Sequence, residues 1–353
     1  MVNQVNLSNQ VAVALSGGVD SSVAAALLLQ QGFSVWGVHL RLSPGAPPAD
    51  HLAALGQRLG IRITEMDLED DFAREVLDYF LREYSRGRTP NPCVQCNAVI
   101  KFGRLWERVR DAGAAYLATG HYARLTLGPD GSLGLHRAAD RRKDQSYFLS
   151  RLSRQVLPHL LFPLEELTKT EVRRRHQELG LPAAPNCRES VELCFIPEGR
   201  YQEFIAARLG RPAVPGELVD PQGLVLGRHK GLERYTVGQR RGLGVPAREP
   251  YYVVEIHPET NRVVLGHKRE LFSAGLLARQ INWLTDPPPG EFSAQAVIRY
   301  RHPGVLARIT PLDPSQARVI FDSPQAAVAP GQAVVFYHHD RVLGGGWIEE
   351  RIK

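Results

Sequence analysis

The chain has 353 residues, 43% of them apolar, enough for two or three domains that each bury a core. Its formal charge of +6 gathers in short basic runs, "RRKDQ", "EVRRRHQ", "GQRRG" and "RYRH", which suit a phosphate-rich partner such as nucleic acid as well as a plainly basic surface. No apolar run reaches the roughly 18 to 20 residues of a membrane span, no secretory leader is read at the start, and four cysteines are too few for a disulfide framework, so the expected setting is the cytoplasm.

From Val11 to about Tyr122, short apolar runs alternate with amphipathic stretches. "VAVAL", "FSVWGVHL", "IRITEMDL" and "AAYLATG" read as strands bounded by Gly or polar turns. Helices are expected over Ser21–Gln31, around Ala53–Leu59, over Phe72–Arg86 and over Ala98–Asp111, the first two closed by Gly32 and Gly60. This alternation predicts an α/β fold with a parallel sheet. Thr168 and Glu171 form a capping box that opens a further helix, Thr170–Leu179. After about residue 210, Pro- and Gly-rich sequence gives way to β patterns, among them the hairpin "YYVVEIHPETNRVVLG". A small mainly-β central domain and a C-terminal β-barrel are therefore expected, with segments 1–205, 206–273 and 274–353 as the three domains.

The sharpest motif is "SGGVDSS", Ser16 to Ser22, directly after a strand and directly before a helix. Glycines at such a turn let the backbone approach a ligand, and the helix N-terminus offers free N–H groups and a positive dipole end to a phosphate. The Gly-Lys-Ser/Thr ending of the common triphosphate loop is missing, which argues against γ-phosphoryl transfer. The motif resembles the PP-loop of the ATP pyrophosphatases, which split ATP between the α and β phosphates and activate an oxygen as its adenylate. That resemblance implies an ATP site along Ala14, Leu15, Ser16, Gly17, Gly18, Val19, Asp20, Ser21 and Ser22, with Asp20 positioning Mg²⁺ or the loop itself. Leu40 and Gly120, at strand ends, are expected to border the adenine and ribose.

An adenylate needs a nucleophile. "GRTPNPCVQCNAVIKFG", "ATGHYAR", "KDQSYFL", "LCFIPEG", "VGQRRGLG" and "PGQAVVFY", in this order along essentially the whole chain, resemble the tRNA-specific 2-thiouridylases. These exchange the carbon-2 oxygen of a wobble uridine in tRNA for sulfur. The resemblance implies that Cys194 carries a persulfide and that Cys96 is the nucleophile resolving it, through a Cys96–Cys194 disulfide. It also implies a sulfur-donor protein as partner and a monomeric enzyme. Persulfide chemistry is consistent with thiolates as the effective attacking species.

Cys93 departs from the family pattern, which has an aspartate at this place in the Asn-Pro segment. With Cys96 and Cys194 it makes a three-thiol set that suits a [4Fe–4S] cluster, an alternative to metal-free persulfide chemistry. Cys187 would complete a looser four-cysteine pattern for structural zinc. The segment "RLSPGAPPADHLAALGQRLG" is a second departure, shorter than in many relatives and read as a trimmed loop.

Thiolation requires the base out of its stack, which single-stranded loops permit. The resemblance carries tRNA contacts onto Asn91, Pro92 and Cys93, onto Lys143, Asp144 and Gln145, and onto His121, Arg299, Tyr300 and Gln332. Arg299 would pair with phosphate while Tyr300 stacks, the alternative being an outward charge beside a core aromatic on a strand. Two other functions stay open at this point: a PP-loop ligase that attacks its adenylate with nitrogen, and a non-catalytic RNA-binding protein.

Overall fold

The computed structural model describes residues 9–43, 50–128, 131–182, 193–196, 201–209 and 213–353. They form two compact units, the first drawn from Met1–Glu75, Gln95–Val191 and Asp340–Val342, the second from Val76–Val94, Glu192–His339 and Leu343–Lys353.

In the first unit the strands are β1 (Gln10–Ala14), β2 (Ser34–Arg41), β3 (Ile63–Asp67), β4 (Tyr116–Ala118), the hairpin β5 (Ala123–Leu127) and β6 (Leu133–Arg137), and β7 (Leu160–Leu161). A parallel sheet runs in the order β3-β2-β1-β4-β7. Helix α1 (Val19–Gln30) is apolar nearly all round, "VDSSVAAALLLQ", and accordingly buried, in one core with Val11 and Val13 of β1 and Leu52 and Leu55 of α2 (Asp50–Leu59). The hairpin β5–β6 was not among the expected strands, although the "GPDG" between its arms is a turn signal.

Two helical runs have π-type middles: α3 (Glu69–Phe72), Ala73–Leu77 and α4 (Asp78–Ser85), then α5 (Pro92–Cys96), Asn97–Arg104 and α6 (Leu105–Asp111). The second run starts earlier than its apolar periodicity suggests. Asn91 accepts a hydrogen bond from the Val94 N–H at 3.2 Å, and Pro92 takes the first helical position, so "NPCV" is a helix start and not a loop. Helix α7 (Lys169–Glu178) packs on α1 and opens with the expected capping box. The Glu171 N–H donates to the Thr168 hydroxyl at 3.3 Å, and the Thr168 N–H donates to the Glu171 carboxylate at 2.7 Å.

The second unit contains α8 (Tyr201–Leu209) and a four-stranded sheet of β8 (Gly216–Val219), β9 (Val225–His229), β10 (Tyr252–His257) and β11 (Arg262–Gly266), in the order β10-β11-β8-β9. Six further strands, β12 (Phe272–Trp283), β13 (Phe292–Val297), β14 (Val305–Asp313), β15 (Gln316–Ala326), β16 (Ala333–His338) and β17 (Arg341–Ile352), close a barrel through the β12–β17 pairing. Its interior is built from alternating inward residues such as Leu276, Ala307, Ile309, Val319 and Phe336.

Each of the two packing units is drawn from separated stretches of the chain. Residues Val76–Val94 belong with the second unit because Phe80 and Tyr84 of α4 share a small core with Ile196 and Ile205. Among the described residues no helix is long and apolar enough to cross a membrane.

Replacing Thr168 with Ala removes one of the two capping-box partners. It is expected to destabilise the first unit by about 1 kcal/mol, lowering its thermal midpoint by about 2 to 4 °C. A midpoint that stays put in a calorimetric scan would show the cap to be dispensable.

Candidate active site

β1 ends at Ala14 and α1 begins at Val19, so the phosphate-loop residues turn the chain at the carboxyl edge of the sheet, where strand order reverses between β2 and β4. The Leu15 N–H donates to the Val38 carbonyl at 2.8 Å, and Nδ1 of His39 lies 2.9 Å from the Leu15 carbonyl, fixing the start of the loop. Gly17 then takes a left-handed φ of +77°. Ser21 and Ser22 donate their hydroxyls to the Gly18 carbonyl at 3.2 and 2.9 Å, and the Ser16 N–H donates to the Ser21 hydroxyl at 3.3 Å. Gly18 is the N-cap residue, and no side chain caps α1. The first-turn N–H groups, which have no partner inside a helix, together with the dipole end form an anion cradle.

Asp20, in that first turn, accepts from Lys169 Nζ at 2.7 Å on both carboxylate oxygens and from the Tyr122 hydroxyl at 2.8 Å. The Lys169 N–H in turn donates to Asp140 at 3.0 Å. Lys169 and Tyr122 were missed in the sequence because the contacts span 149 and 102 residues. The capping box predicts a helix from Thr170 and says nothing of what the Lys169 ammonium, one residue earlier, meets. Gly120 lies against the α1 backbone, where a Cβ would stand 2.7 Å from the Ser21 nitrogen and 2.8 Å from the Asp20 carbonyl carbon. Its lack of a side chain therefore seats α1, a role separate from bordering the adenine. Leu40 is half-buried near the end of β2, paired with Met66.

Other expected contact residues of the first unit have structural partners. Asp144 is buried and accepts from the Ala138 and Ser146 N–H groups at 3.0 and 3.2 Å and from the Ser146 hydroxyl at 2.9 Å. Burial raises its pKa above the ordinary carboxylate value, against the lowering effect of these bonds. An inward Asp144 shapes the loop that presents Lys143. Gln145 exchanges hydrogen bonds with Tyr122, accepting from its N–H at 3.0 Å and donating its own N–H to the Tyr122 carbonyl at 2.8 Å. His121 packs between Phe102 and Phe162, with its Nδ1 2.8 Å from the Thr119 hydroxyl. Burial first, and Lys101 second, hold its pKa well below the usual imidazole value.

In the second unit, Asn91 and Pro92 form the start of α5, and Gln332 donates to the Thr89 and Pro90 carbonyls at 3.1 and 3.4 Å. Arg299 and Tyr300 lie beyond the end of β13 in an exposed turn, not on a strand, so Tyr300 is no core aromatic. Arg299 donates to the Ala326 carbonyl at 3.2 Å.

The described cysteines stand in unlike settings: Cys96 buried, Cys93 half-buried and Cys194 exposed. Among the described residues no three His, Cys, Asp or Glu side chains gather as a metal site. Cys93, Cys96 and Cys194, the expected ligand set, form no such group among the described residues; a [4Fe–4S] cluster on them stays the alternative to metal-free persulfide chemistry. Cys187, and with it the four-cysteine zinc pattern, lies outside the described residues, as do residues 44–49 of the trimmed loop.

The fold and the loop define a phosphate-binding α/β unit followed by two β modules. Family models match in the same order: one described as "tRNA methyl transferase HUP domain" over residues 9–198, one as "tRNA methyl transferase PRC-barrel domain" over 202–267, and one as "Aminomethyltransferase beta-barrel domain" over 273–348. The chain is 47% identical over 348 residues to a "tRNA-specific 2-thiouridylase MnmA" of Trichlorobacter lovleyi, covering 97% of this chain and 98% of that protein. It is 46% identical to the protein of the same name from Carboxydothermus hydrogenoformans, with coverage of 97% and 98%. The chain belongs to the tRNA-specific 2-thiouridylase family.

The neutral His121 gives an acid-side signature. Its folded pKa lies below its unfolded value of about 6.5, so its contribution is greatest above that pH and is lost as pH falls toward the folded value. His121→Phe is expected to flatten the fall in thermal midpoint between about pH 7 and pH 5; an unchanged slope would mean that the ring protonates freely.

Proposed function

We propose that this protein is an ATP-dependent tRNA 2-thiouridylase, acting in the cytoplasm on a wobble uridine. The observation that carries the reading is the uncapped α1 N-terminus at the carboxyl edge of the sheet, with Asp20 held by Lys169 beside it. Two of the family models bear the description of a tRNA methyl transferase. Methyl transfer has no use for an anion cradle, an adenylate or paired thiols, whereas thiolation through an adenylate uses all three.

ATP binds with its phosphates on the N–H groups of Ser16 to Ser22. Asp20, the one carboxylate in the loop, would hold a Mg²⁺ bound with the phosphates, whose charge the ion would offset. Lys169 fixes that carboxylate and offsets its charge. The uridine carbon-2 oxygen attacks the α-phosphorus and pyrophosphate leaves; fixed N–H donors and the helix dipole stabilise the charge that develops.

The terminal sulfur of a Cys194 persulfide then attacks carbon-2, and AMP leaves with the former carbonyl oxygen. The Cys96 thiolate attacks Sγ of Cys194, the S–S bond to the transferred sulfur breaks, and 2-thiouridine departs. The resulting Cys96–Cys194 disulfide is reduced by an external dithiol before the next turnover. The exposure of Cys194 supports its role as the acceptor from a sulfur-donor protein. Its turn is anchored by Phe195 and Ile196, packed with Phe80, and by an Ile196 N–H bond to the Leu193 carbonyl at 3.0 Å. Arg299 and Tyr300, exposed together, and Lys143 supply a phosphate partner, a stacking face and a second cation for tRNA.

Asp20→Ala and Lys169→Met are each expected to lower thiolation at least tenfold, the scale of one charge-assisted hydrogen bond, with tRNA affinity unchanged. Cys96→Ser and Cys194→Ser are expected to abolish 2-thiouridine while leaving pyrophosphate release on tRNA measurable. A ligase that uses nitrogen would survive both serine replacements, and a methylated nucleoside in the product digest would sink the proposal outright.

A further inference from the structure

The segment ahead of α5 is held from one side by the loop "PGQ", Pro330 to Gln332, that leads into β16. The Thr89 N–H donates to the Pro330 carbonyl at 2.8 Å. Gln332 Nε2 donates to the carbonyls of Thr89 and Pro90 at 3.1 and 3.4 Å. Gly331, at φ +90°, lies so close that a Cβ would stand 3.0 Å from both the Arg88 Cβ and the Thr89 nitrogen.

The loop is itself fixed to β17. The Gly331 N–H donates to the Ile348 carbonyl and the Ile348 N–H to the Gln332 carbonyl, both at 2.8 Å. The next residue, Glu349, takes both guanidinium arms of Arg88, and Arg88 also lies 3.9 Å from the buried Glu83. Three consecutive residues, Arg88 to Pro90, are thus tied to the barrel immediately before Asn91 caps the helix that carries Cys93 and, one turn on, Cys96.

We propose that Gln332, with Gly331 beneath it, is a positioning residue: through the Thr89 and Pro90 carbonyls it fixes the start of α5 and so the presentation of its thiols, before any RNA is bound. The inference rests on the thiouridylase reading for its purpose but not for its test. A residue that only touches tRNA leaves the RNA-free protein unchanged, whereas a clamp does not.

The experiment measures, in the full chain without tRNA, the iodoacetamide alkylation rates of Cys93, Cys96 and Cys194 by peptide mass spectrometry. The variants are Gln332→Ala, Gln332→Glu and Gly331→Ala. Each is expected to raise the Cys93 and Cys96 rates roughly five- to tenfold, the effect of losing about one backbone hydrogen bond, while Cys194 reacts as before. Gln332→Lys, which keeps a donor of similar reach, should restore slow alkylation. In turnover assays the Gln332→Ala protein should lose kcat with its tRNA Kd within twofold.

Unchanged alkylation in all three variants, with weakened tRNA binding, would make Gln332 an RNA contact only and overturn the proposal. If Gln332→Ala unfolds the protein, so that Cys194 also accelerates, Gly331→Ala and the lysine rescue decide between the two outcomes. Failure of wild-type protein to thiolate tRNA would count against the thiouridylase reading and leave the alkylation result standing.

Discussion

The first unit turns on a single carboxylate. Asp20 sits in the first turn of α1, where a negative charge is favoured by the helix dipole yet faces the place where phosphate charge must collect. Left alone it would repel the ligand that the loop is shaped to hold. Lys169, bonded to both carboxylate oxygens, and Tyr122, bonded to one, remove that conflict and tie α1 to α7 and to the stretch after β4. Because Gly120, just after β4, presses on the same turn, any shift of α1 is felt at once in the loop. A preorganised cradle is what adenylation requires, since donors that need not move when charge develops cost no reorganisation during the reaction.

A second charged group organises the other unit by a different logic. Glu83 is buried, with Arg86, Arg88 and Arg279 within 3.5, 3.9 and 3.4 Å, and Glu349 links Arg88 to Arg279. Buried ion pairs add little net stability against an apolar alternative, but removing one partner leaves a charge stranded at a large cost. Such a network specifies arrangement more than it stabilises it. Here the arrangement specified is the path of residues 83–90 across β12 and β17, which ends where α5 begins. The raised pKa of Arg88, with Glu349 as its chief cause, and the lowered pKa of Glu349 are two views of the same bond.

Much of this was legible in the sequence, and what was not has a common cause. The phosphate loop could be read because strand, glycine turn and helix are contiguous and each local preference agrees with the fold. The capping box of α7 and the β10–β11 hairpin were readable for the same reason. Lys169 could not be found as the partner of Asp20, nor could Gln332 as the partner of Thr89, because no spacing rule links residues 149 or 243 apart. The early start of α5 was hidden because "NPC" was read as a base-contacting turn, when Asn followed by Pro also opens a helix. Asp144 and His121 resembled contact residues by motif. The structure adds what the motif could not give: Asp144 is buried and bonded within its loop, and the His121 ring lies against Phe102 and Phe162.

The unequal exposure of the thiols also follows from the chemistry proposed for them. A sulfur carrier must be reached by a donor protein and must also deliver to a base, so its sulfur has to stand at the surface on a segment that does not collapse over it. Cys194, exposed on a turn pinned by Phe195 and Ile196, meets both demands. A resolving thiol has the opposite need, because a surface thiol would compete for the donor's sulfur and be oxidised at random. Cys96 is 7% exposed, on a helix whose start is tied by its neighbours, as the proposed resolving role requires. In the proposed reaction Cys93, at the start of the same helix and in the place of the aspartate of the family pattern, would leave no fixed negative charge beside the base to be adenylated, and the backbone placement of α5 would have to supply the geometry that a carboxylate otherwise gives.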